Sequence, residues 1–230
     1  MRSFHTDLLR ENQSKLNVGK RLLLVNIIDS KFYNVIDKLS NLFILNIFWL
    51  LSCLPLFTIA PATSAMYSVI RQWKINGDTS VVRNYFHYFK ENFRQSIAIG
   101  AIMAVLLAVL FFNYFYLNQD QSLMKIVMTV PVLLVSVLFL TTLFYIFPMI
   151  AHYKLPTKTA FKNSLLLSMM NIHITVVILA VFGMVSVVLF YMPFTGIIIF
   201  STAAWLHYSL CHKVFARMDE AKQSIIIEGP

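Results

Sequence analysis

Long apolar segments separated by short polar ones make up most of this chain, and one apolar segment is broken in its middle. Residues 42–70 carry no charged side chain, a stretch long enough to enter a bilayer, but Pro55 and Pro61 interrupt it. Each proline removes a backbone donor and disfavours helix in the residue before it. In lipid, the freed backbone groups must be satisfied by protein or by trapped water. The pattern therefore predicts a broken helical hairpin over residues 30–75 with its tip at the prolines.

Four later apolar segments reach membrane length, because roughly 20 helical residues cover a hydrocarbon core of about 30 Å. They cover residues 95–116, 123–150, 171–191 and 194–214. Together with the hairpin they predict an all-α, polytopic helical membrane protein with a single membrane domain over residues 29–216. Residues 1–28 and 217–230 are then an N-terminal segment and a C-terminal tail in the cytoplasm.

The basic residues distinguish two topologies. If the hairpin crossed the membrane once, Lys and Arg would divide almost evenly between the two sides. If the hairpin returns to the side it came from, all 19 Lys and Arg residues except Lys125 lie on one side. Because basic loops stay in the cytoplasm, we predict a multi-pass protein of the bacterial cytoplasmic membrane with both termini in the cytoplasm. Whether the hairpin spans the membrane or re-enters stays open, since its second arm, residues 61–74, is only about 21 Å long.

Two amphipathic segments predict interfacial elbow helices before membrane spans. In residues 80–95, one face is aromatic and apolar and the rest is basic or polar; the face is formed by Val82, Tyr85, Phe86, Phe89 and Phe93. This pattern is typical of a helix lying in the membrane interface. The alternative is packing on a soluble partner or on the protein's own cytoplasmic surface. Residues 157–167 precede the third span in the same way, which suggests two copies of an elbow–span–span unit.

Composition excludes several function classes. With 58% hydrophobic and 13% charged residues, the chain is not a soluble globular domain. The net charge of +9 lies in loops and flanks, where membrane insertion requires it, so nucleic-acid binding is not predicted. No Asp, Glu, Lys or Arg lies well inside a span, which disfavours a proton-coupled pump and an intramembrane acid–base enzyme. Cys53, Cys211 and the six histidines show no disulfide or metal spacing, so we predict no enzyme, metal or cofactor.

Polar residues flank the break and form the candidate site. They are Asn46, Ser52, Thr58, Thr63 and Ser64. If the second arm starts at membrane depth, its N-terminal amides point the positive end of a helix dipole into a protected cavity, which would suit a ligand. The favoured alternative is that Asn46 and Thr58 satisfy backbone groups freed by Pro55 and Pro61, because every broken helix needs such partners.

The same residues form part of an ordered series of motifs. The series is Leu45-Asn46, Trp49, Leu54-Pro55, Thr58, Pro61-Ala62, Ala65, Tyr67, Phe89-Lys90, Asn92-Phe93, Ser96 and Phe147-Pro148. In these motifs the chain resembles the YesL-like family of bacterial membrane proteins, a domain of unknown function, over residues 28–215. Family members usually have Gly where this chain has Ala60. Because members are often encoded beside sugar-uptake ABC transporter components, the resemblance implies a link to carbohydrate import, but it supplies no catalytic or binding residues.

Two classes of function remain open. The first is an accessory or regulatory membrane component of carbohydrate ABC-type uptake, which would use its basic cytoplasmic elbows to contact a permease or ATPase. The alternative is a small transporter or channel with its site at the hairpin tip. An enzyme is a distant third, because no nucleophile–base pair or metal set is visible. In both classes the protein lies in a lipid bilayer and does not bind nucleic acid. The oligomeric state stays open.

Overall fold

A computed structural model describes residue 33 and residues 35–117 and 123–228. This part of the chain is almost entirely helical and contains no strand, which confirms the predicted all-α class. Its helices are α1 Val35–Ser52, α2 Ile59–Ile75, α3 Val81–Leu117, α4 Leu123–Tyr153, α5 Thr157–Met170, α6 Ile172–Tyr191 and α7 Gly196–Glu228. Short 3-10 turns, Leu56–Thr58 and Pro193–Thr195, precede α2 and α7.

Five of these helices are long and apolar enough to cross a membrane. The apolar stretches are Val35–Ser52, Val81–Phe115, Thr129–Tyr153, Ile172–Tyr191 and Pro193–Glu220. Helix α2 has 17 residues and is not among them. The described helices thus fit a polytopic helical membrane protein in which the two shorter helices, α2 and α5, have a different role.

The chain divides into two compact units, Met1–Asn41 and Leu42–Pro230. In the first, the described residues form the start of α1, where Asn41 Nδ2 donates a hydrogen bond to Asp37 Oδ2 one turn earlier, at 3.2 Å. The second unit contains the rest of α1 and helices α2 to α7. All the packing described below lies within this second unit.

The two prolines end one helix and begin the next. Helix α1 ends at Ser52, and Pro55 adopts an extended conformation with φ −78° and ψ 119°. Pro61 lies in the first turn of α2, where a backbone N–H has no partner within the helix, so its missing donor costs nothing. The break predicted from sequence is therefore a tight connection between two well-formed helices.

Helix α2 is the most buried helix of the protein. Almost all side chains from Ala60 to Ile70 are buried, and α2 contacts α3, α4 and α7. It runs antiparallel to α3: Asn92 Nδ2 donates to Ser68 Oγ at 3.2 Å, and Gln72 hydrogen-bonds Tyr88 one turn further along. The second arm of the hairpin is therefore the centre of a packed bundle.

Close contact between α2 and α3 depends on Ala60 and Gly100. A Cβ built on Gly100 would lie 3.0 Å from Cβ of Ala60, closer than most such contacts in proteins. Ala60 is helical, and positive φ occurs among the described residues only at Gly77 and Lys154. What this chain needs at position 60 is thus a small side chain rather than a special backbone conformation.

Helix α3 differs from the prediction of an elbow at residues 80–95 followed by a span at 95–116. It is one continuous helix of 37 residues: no Pro lies near residue 95, and Gly100 is accommodated within the helix. Its buried side chains at this end are Val81, Tyr85 and Tyr88, whereas Val82 and Phe86 are about half exposed, at 49% and 48%. The buried face packs on the protein itself. This packing is the alternative that the sequence analysis gave to a helix lying in the membrane interface.

The second predicted elbow, residues 157–167, lies in α5. Helix α5 packs along α4 and ends at Asn171, where φ −114° and ψ 49° interrupt the helix before α6. The corresponding position in α3 has no interruption, so the two proposed copies differ in structure.

Burial separates a packed body from two exposed helix halves. The packed body consists of α2, residues 81–100 of α3, residues 141–153 of α4, α5 and residues 201–217 of α7. The exposed halves are residues 101–115 of α3 and residues 129–140 of α4, in which no side chain is buried. A groove of about 590 Å³ with almost entirely apolar walls lies between the exposed halves.

Candidate functional site

Thr58 closes the break between α1 and α2. Its Oγ1 lies 2.5 Å from the carbonyl oxygen of Ser52 and 2.6 Å from that of Pro55, and its hydroxyl donates to one of them at a time. The last carbonyls of a helix have no partner within it. Thr58 is buried and supplies a donor at this point, which is the structural role considered for it from the sequence.

Asn46 has a different role from the predicted one. Its side chain does not bind the backbone around the prolines; it donates from Nδ2 to the carbonyl oxygen of Gly196 at 2.8 Å. Its Oδ1 accepts from the backbone N–H of Ser201 at 3.0 Å, and Ser201 Oγ donates to the carbonyl oxygen of Leu42 at 2.8 Å. Asn46 therefore ties α1 to the first turns of α7, and Asn46 and Thr58 do not converge.

Thr63 and Ser64 complete the predicted cluster, but they face different surroundings. Thr63 Oγ1 donates to the carbonyl oxygen of Ile59 at 2.7 Å and accepts from Trp49 Nε1 at 3.2 Å. Ser64 is fully buried, and its Oγ has no hydrogen-bond partner within the described part of the chain. The predicted polar residues thus make separate contacts and do not line one common site.

A buried polar layer that the sequence did not predict joins α2 to α7. Tyr67 Oη lies 2.6 Å from Nδ1 of His207, and His207 Nε2 lies 3.4 Å from Sγ of Cys211. The rings of Phe144 and Phe182 contact the His207 ring at centroid distances of 6.1 and 5.4 Å. This apolar surrounding favours a neutral imidazole that accepts at one nitrogen and donates at the other.

A second layer next to it joins α4 to α7. His152 Nδ1 lies 2.9 Å from Tyr208 Oη, and His152 Nε2 lies 4.0 Å from Oδ2 of Asp219. Tyr153 Oη donates to Asp219 Oδ1 at 3.0 Å. The ring of His212 is parallel to that of Tyr208, with 6.0 Å between centroids. Tyrosine, histidine and carboxylate groups from two helices thus lie side by side, and two separate hydrogen bonds, His152–Tyr208 and Tyr153–Asp219, join the helices.

Sequence spacing missed both layers because their contacts join distant parts of the chain. The six histidines show no metal spacing along the chain, whereas 140 residues separate Tyr67 from His207. Tyr67 is part of the family motif around the break, and this was the one indication in the sequence that Tyr67 has a particular role. Among the described residues, no group of three or more His, Cys, Asp or Glu side chains is placed to hold a metal ion.

Comparisons with known proteins give a family. The family model "Protein of unknown function, DUF624" matches residues 42–114. The uncharacterized Bacillus subtilis (strain 168) protein YesV is 33% identical over 153 residues, which is 65% of this chain and 74% of YesV.

Two further uncharacterized proteins of the same strain are similar. YteU is 28% identical over 183 residues, covering 77% of this chain and 81% of YteU. YesL is 26% identical over 208 residues, covering 88% of this chain and 98% of YesL. No solved structure matches.

Proposed function

The chain belongs to the DUF624 family of proteins of unknown function, and we propose that it is an accessory or regulatory component of carbohydrate ABC-type uptake. In this proposal it lies in the bacterial cytoplasmic membrane as a multi-pass protein with both termini in the cytoplasm. It contacts a permease or an ATPase and catalyses no reaction of its own.

The observation that carries the proposal is the closure of the hairpin tip. The side chains of Asn46 and Thr58 are buried and hydrogen-bonded within the protein. Helix α2, which would line a path through the tip, is instead packed on three sides by α3, α4 and α7. A transport site needs polar groups that are free to exchange partners with a substrate, and these groups are already engaged.

Exposed basic side chains supply a surface for a partner. Arg83, Lys90 and Arg94 are exposed along the packed part of α3, and Lys158 and Lys162 are exposed on α5. Charges of one sign on a protein surface steer association with an oppositely charged partner. An acidic cytoplasmic surface of a transporter subunit would fit this description.

One observation favours the alternative of a small transporter or channel. Ser64 lies near the start of α2 with a buried hydroxyl that has no hydrogen-bond partner in the described part of the chain. A substrate hydroxyl could occupy that position if the tip opened. This alternative predicts substrate flux by the protein alone.

Pull-down from native membranes tests the main proposal. We expect a sugar permease or its ATPase to co-purify with the protein after mild crosslinking. The amount that co-purifies should fall when Arg83, Lys90 and Arg94 are replaced by Gln. Replacement of the exposed apolar residues Leu107 and Val109 by Ala serves as the control and should leave co-purification unchanged. Sugar flux into liposomes that contain this protein alone, with no transporter subunit in the pull-down, would contradict the proposal and support the alternative.

Cysteine labelling tests the membrane orientation. We expect cysteines at Gln13 and Thr79 to react from the cytoplasmic side and a cysteine at Gln121 to react from the other side. Gln13 and Gln121 lie outside the described residues. Reaction of positions 79 and 121 from the same side would exclude the proposed topology.

A further inference from the structure

Five basic side chains come together where the C-terminal ends of α2 and α4 lie beside the middle of α7. They are Arg71, Lys74, His152, His212 and Lys213. The rings of His152 and His212 are 5.8 Å apart, and the charge of Arg71 acts on His152 and on Tyr208 beside it. Lys74 in turn interacts electrostatically with His212 and with Lys213. These five residues are called the basic cluster below.

Among the described residues, one carboxylate compensates the charge of the basic cluster. Asp219 is the acidic side chain that faces it, 4.0 Å from His152, and Asp219 also accepts a hydrogen bond from Tyr153. Burial and the neighbouring charge of Lys213 lower the pKa of Lys74. Like charges on neighbouring side chains cost free energy unless an anion lies between them.

Two side-chain nitrogens in the basic cluster are buried without a partner in the described part of the chain. Nε of Arg71 and Nδ1 of His212 are shielded from solvent, and neither has a hydrogen-bond partner within the described part of the chain. An unmade hydrogen bond to a buried charged group is costly. The need for positive charge on one side of a membrane explains basic loops, but it does not explain a buried, unpartnered guanidinium nitrogen.

We propose that the basic cluster binds the phosphate group of an anionic ligand. Arg71 would bind two phosphate oxygens through its planar guanidinium, and Lys74 and Lys213 at the exposed edge would act as point charges. Three permanent cations facing one carboxylate suit an anion that carries more than one negative charge. The phosphate belongs either to a soluble phosphate compound or to the headgroup of an acidic lipid, and both present the same oxygens.

Thermal unfolding of the full chain distinguishes these sources. In neutral detergent, inorganic phosphate should raise Tm relative to chloride at equal ionic strength and pH, because a ligand that binds only the folded state stabilises it. In nanodiscs, phosphatidylglycerol in a phosphatidylcholine bilayer should raise Tm relative to phosphatidylcholine alone if the source is a lipid headgroup. A rise in either comparison supports the site, and no rise in both overturns it.

Variants separate the basic cluster from general charge attraction. Arg71→Met should weaken the response to the effective anion roughly tenfold or more, since a charge-assisted hydrogen bond is lost. In chloride alone its Tm should be unchanged or higher, because an uncompensated buried donor is removed. A double variant, Lys74→Gln with Lys213→Gln, changes exposed positions only, so this protein should fold normally. Its response to the anion should be weaker.

Lys158→Gln with Lys162→Gln is the matched control, since both lysines are exposed on α5 outside the basic cluster. We expect this control to respond to the anion as the unmodified protein does. An equal loss of response in the control would overturn the proposal, and so would a full response in both basic-cluster variants.

Discussion

Residues 81–100 of α3 pack into the protein, whereas residues 101–115 of the same continuous helix expose their side chains. In the first part, Tyr85 is fully buried and Ile99 nearly so; in the second, Val105 and Leu107 are 64% and 63% exposed. Both parts are rich in apolar residues, so apolar composition does not distinguish burial in protein from exposure to lipid. The difference lies in the polar residues of the packed part, since Tyr88 and Asn92 hydrogen-bond α2 and no such bond to α2 is seen from the described residues 101–115.

Helix α4 repeats this division in the opposite direction along the chain. Its residues 129–140 have no buried side chain, whereas Tyr145, Ile146, Met149 and Ile150 are almost completely buried. The exposed halves of α3 and α4 leave a groove of about 590 Å³ between them, whereas the packed halves enclose α2. We therefore expect substitutions in the packed body to be costly and substitutions in the exposed halves to be tolerated.

The largest expected effect comes from Asn46, because it holds α1 against α7 through two hydrogen bonds. Asn46→Leu removes the side-chain partner of the part-buried Gly196 carbonyl and of the buried Ser201 N–H, at a cost of about 1–3 kcal/mol for each group left unsatisfied. Thermal unfolding in detergent should show a clearly lower Tm. Leu107→Ile in the exposed half of α3 is the control and should unfold like the unmodified protein. Equal Tm values for the two variants would contradict the role of Asn46.

A smaller loss is expected when the contact between α2 and α3 is widened. Gly100→Ala places a Cβ 3.0 Å from Cβ of Ala60, and overpacking of this kind typically costs about 1–3 kcal/mol. Gly183→Ala in α6 is the matched control, since a Cβ there has open space around it. Removing a helical glycine at such a site is neutral or stabilising by up to about 1 kcal/mol. If both variants shift Tm in the same direction, Gly100 is not required for the close contact between α2 and α3.

The smallest of these effects is expected at Thr58. Thr58→Val keeps the shape of the side chain but removes the hydroxyl that bonds the carbonyl oxygens of Ser52 and Pro55. One hydrogen bond of this kind contributes about 1 kcal/mol, so Tm should fall modestly. Thr58→Ser keeps the hydroxyl and should retain most of the stability. A larger loss for Ser than for Val would show that packing, and not the hydrogen bond, is what matters at Thr58.

The sequence predicted those features that depend on local chemistry. Pro55 follows the end of α1 and Pro61 lies in the first turn of α2, whereas Pro131 and Pro148 lie inside the continuous helix α4. The break was recognisable because two prolines lie close together within one apolar segment. The apolar segments were recognisable by length alone, because a bilayer fixes the length of a span. The face containing Tyr85 was identified as amphipathic, although its burial against protein rather than in the interface was the less favoured alternative.

The features that the sequence did not predict depend on contacts between distant segments. Asn46 was assigned to the nearby prolines, but its partners are at residues 196 and 201. Tyr67 and His207 form a layer only because α2 is enclosed by other helices, and no spacing along one helix shows this. The continuity of α3 was missed because a change from an amphipathic to a uniformly apolar pattern resembles a helix boundary without being one.

The central claim, that α3 passes from a protein-packed half into a lipid-exposed half, is tested most directly by spin labels along this helix. A label at Leu107 should be accessible to oxygen dissolved in lipid and shielded from a water-soluble relaxation agent. A label at Glu91, which is exposed on the packed half, should show the opposite, and a label at Tyr85 should be immobile and shielded from both. If the Tyr85 label instead matches the Leu107 label in oxygen accessibility, the first half of α3 lies in the membrane interface and the packed body described here is wrong.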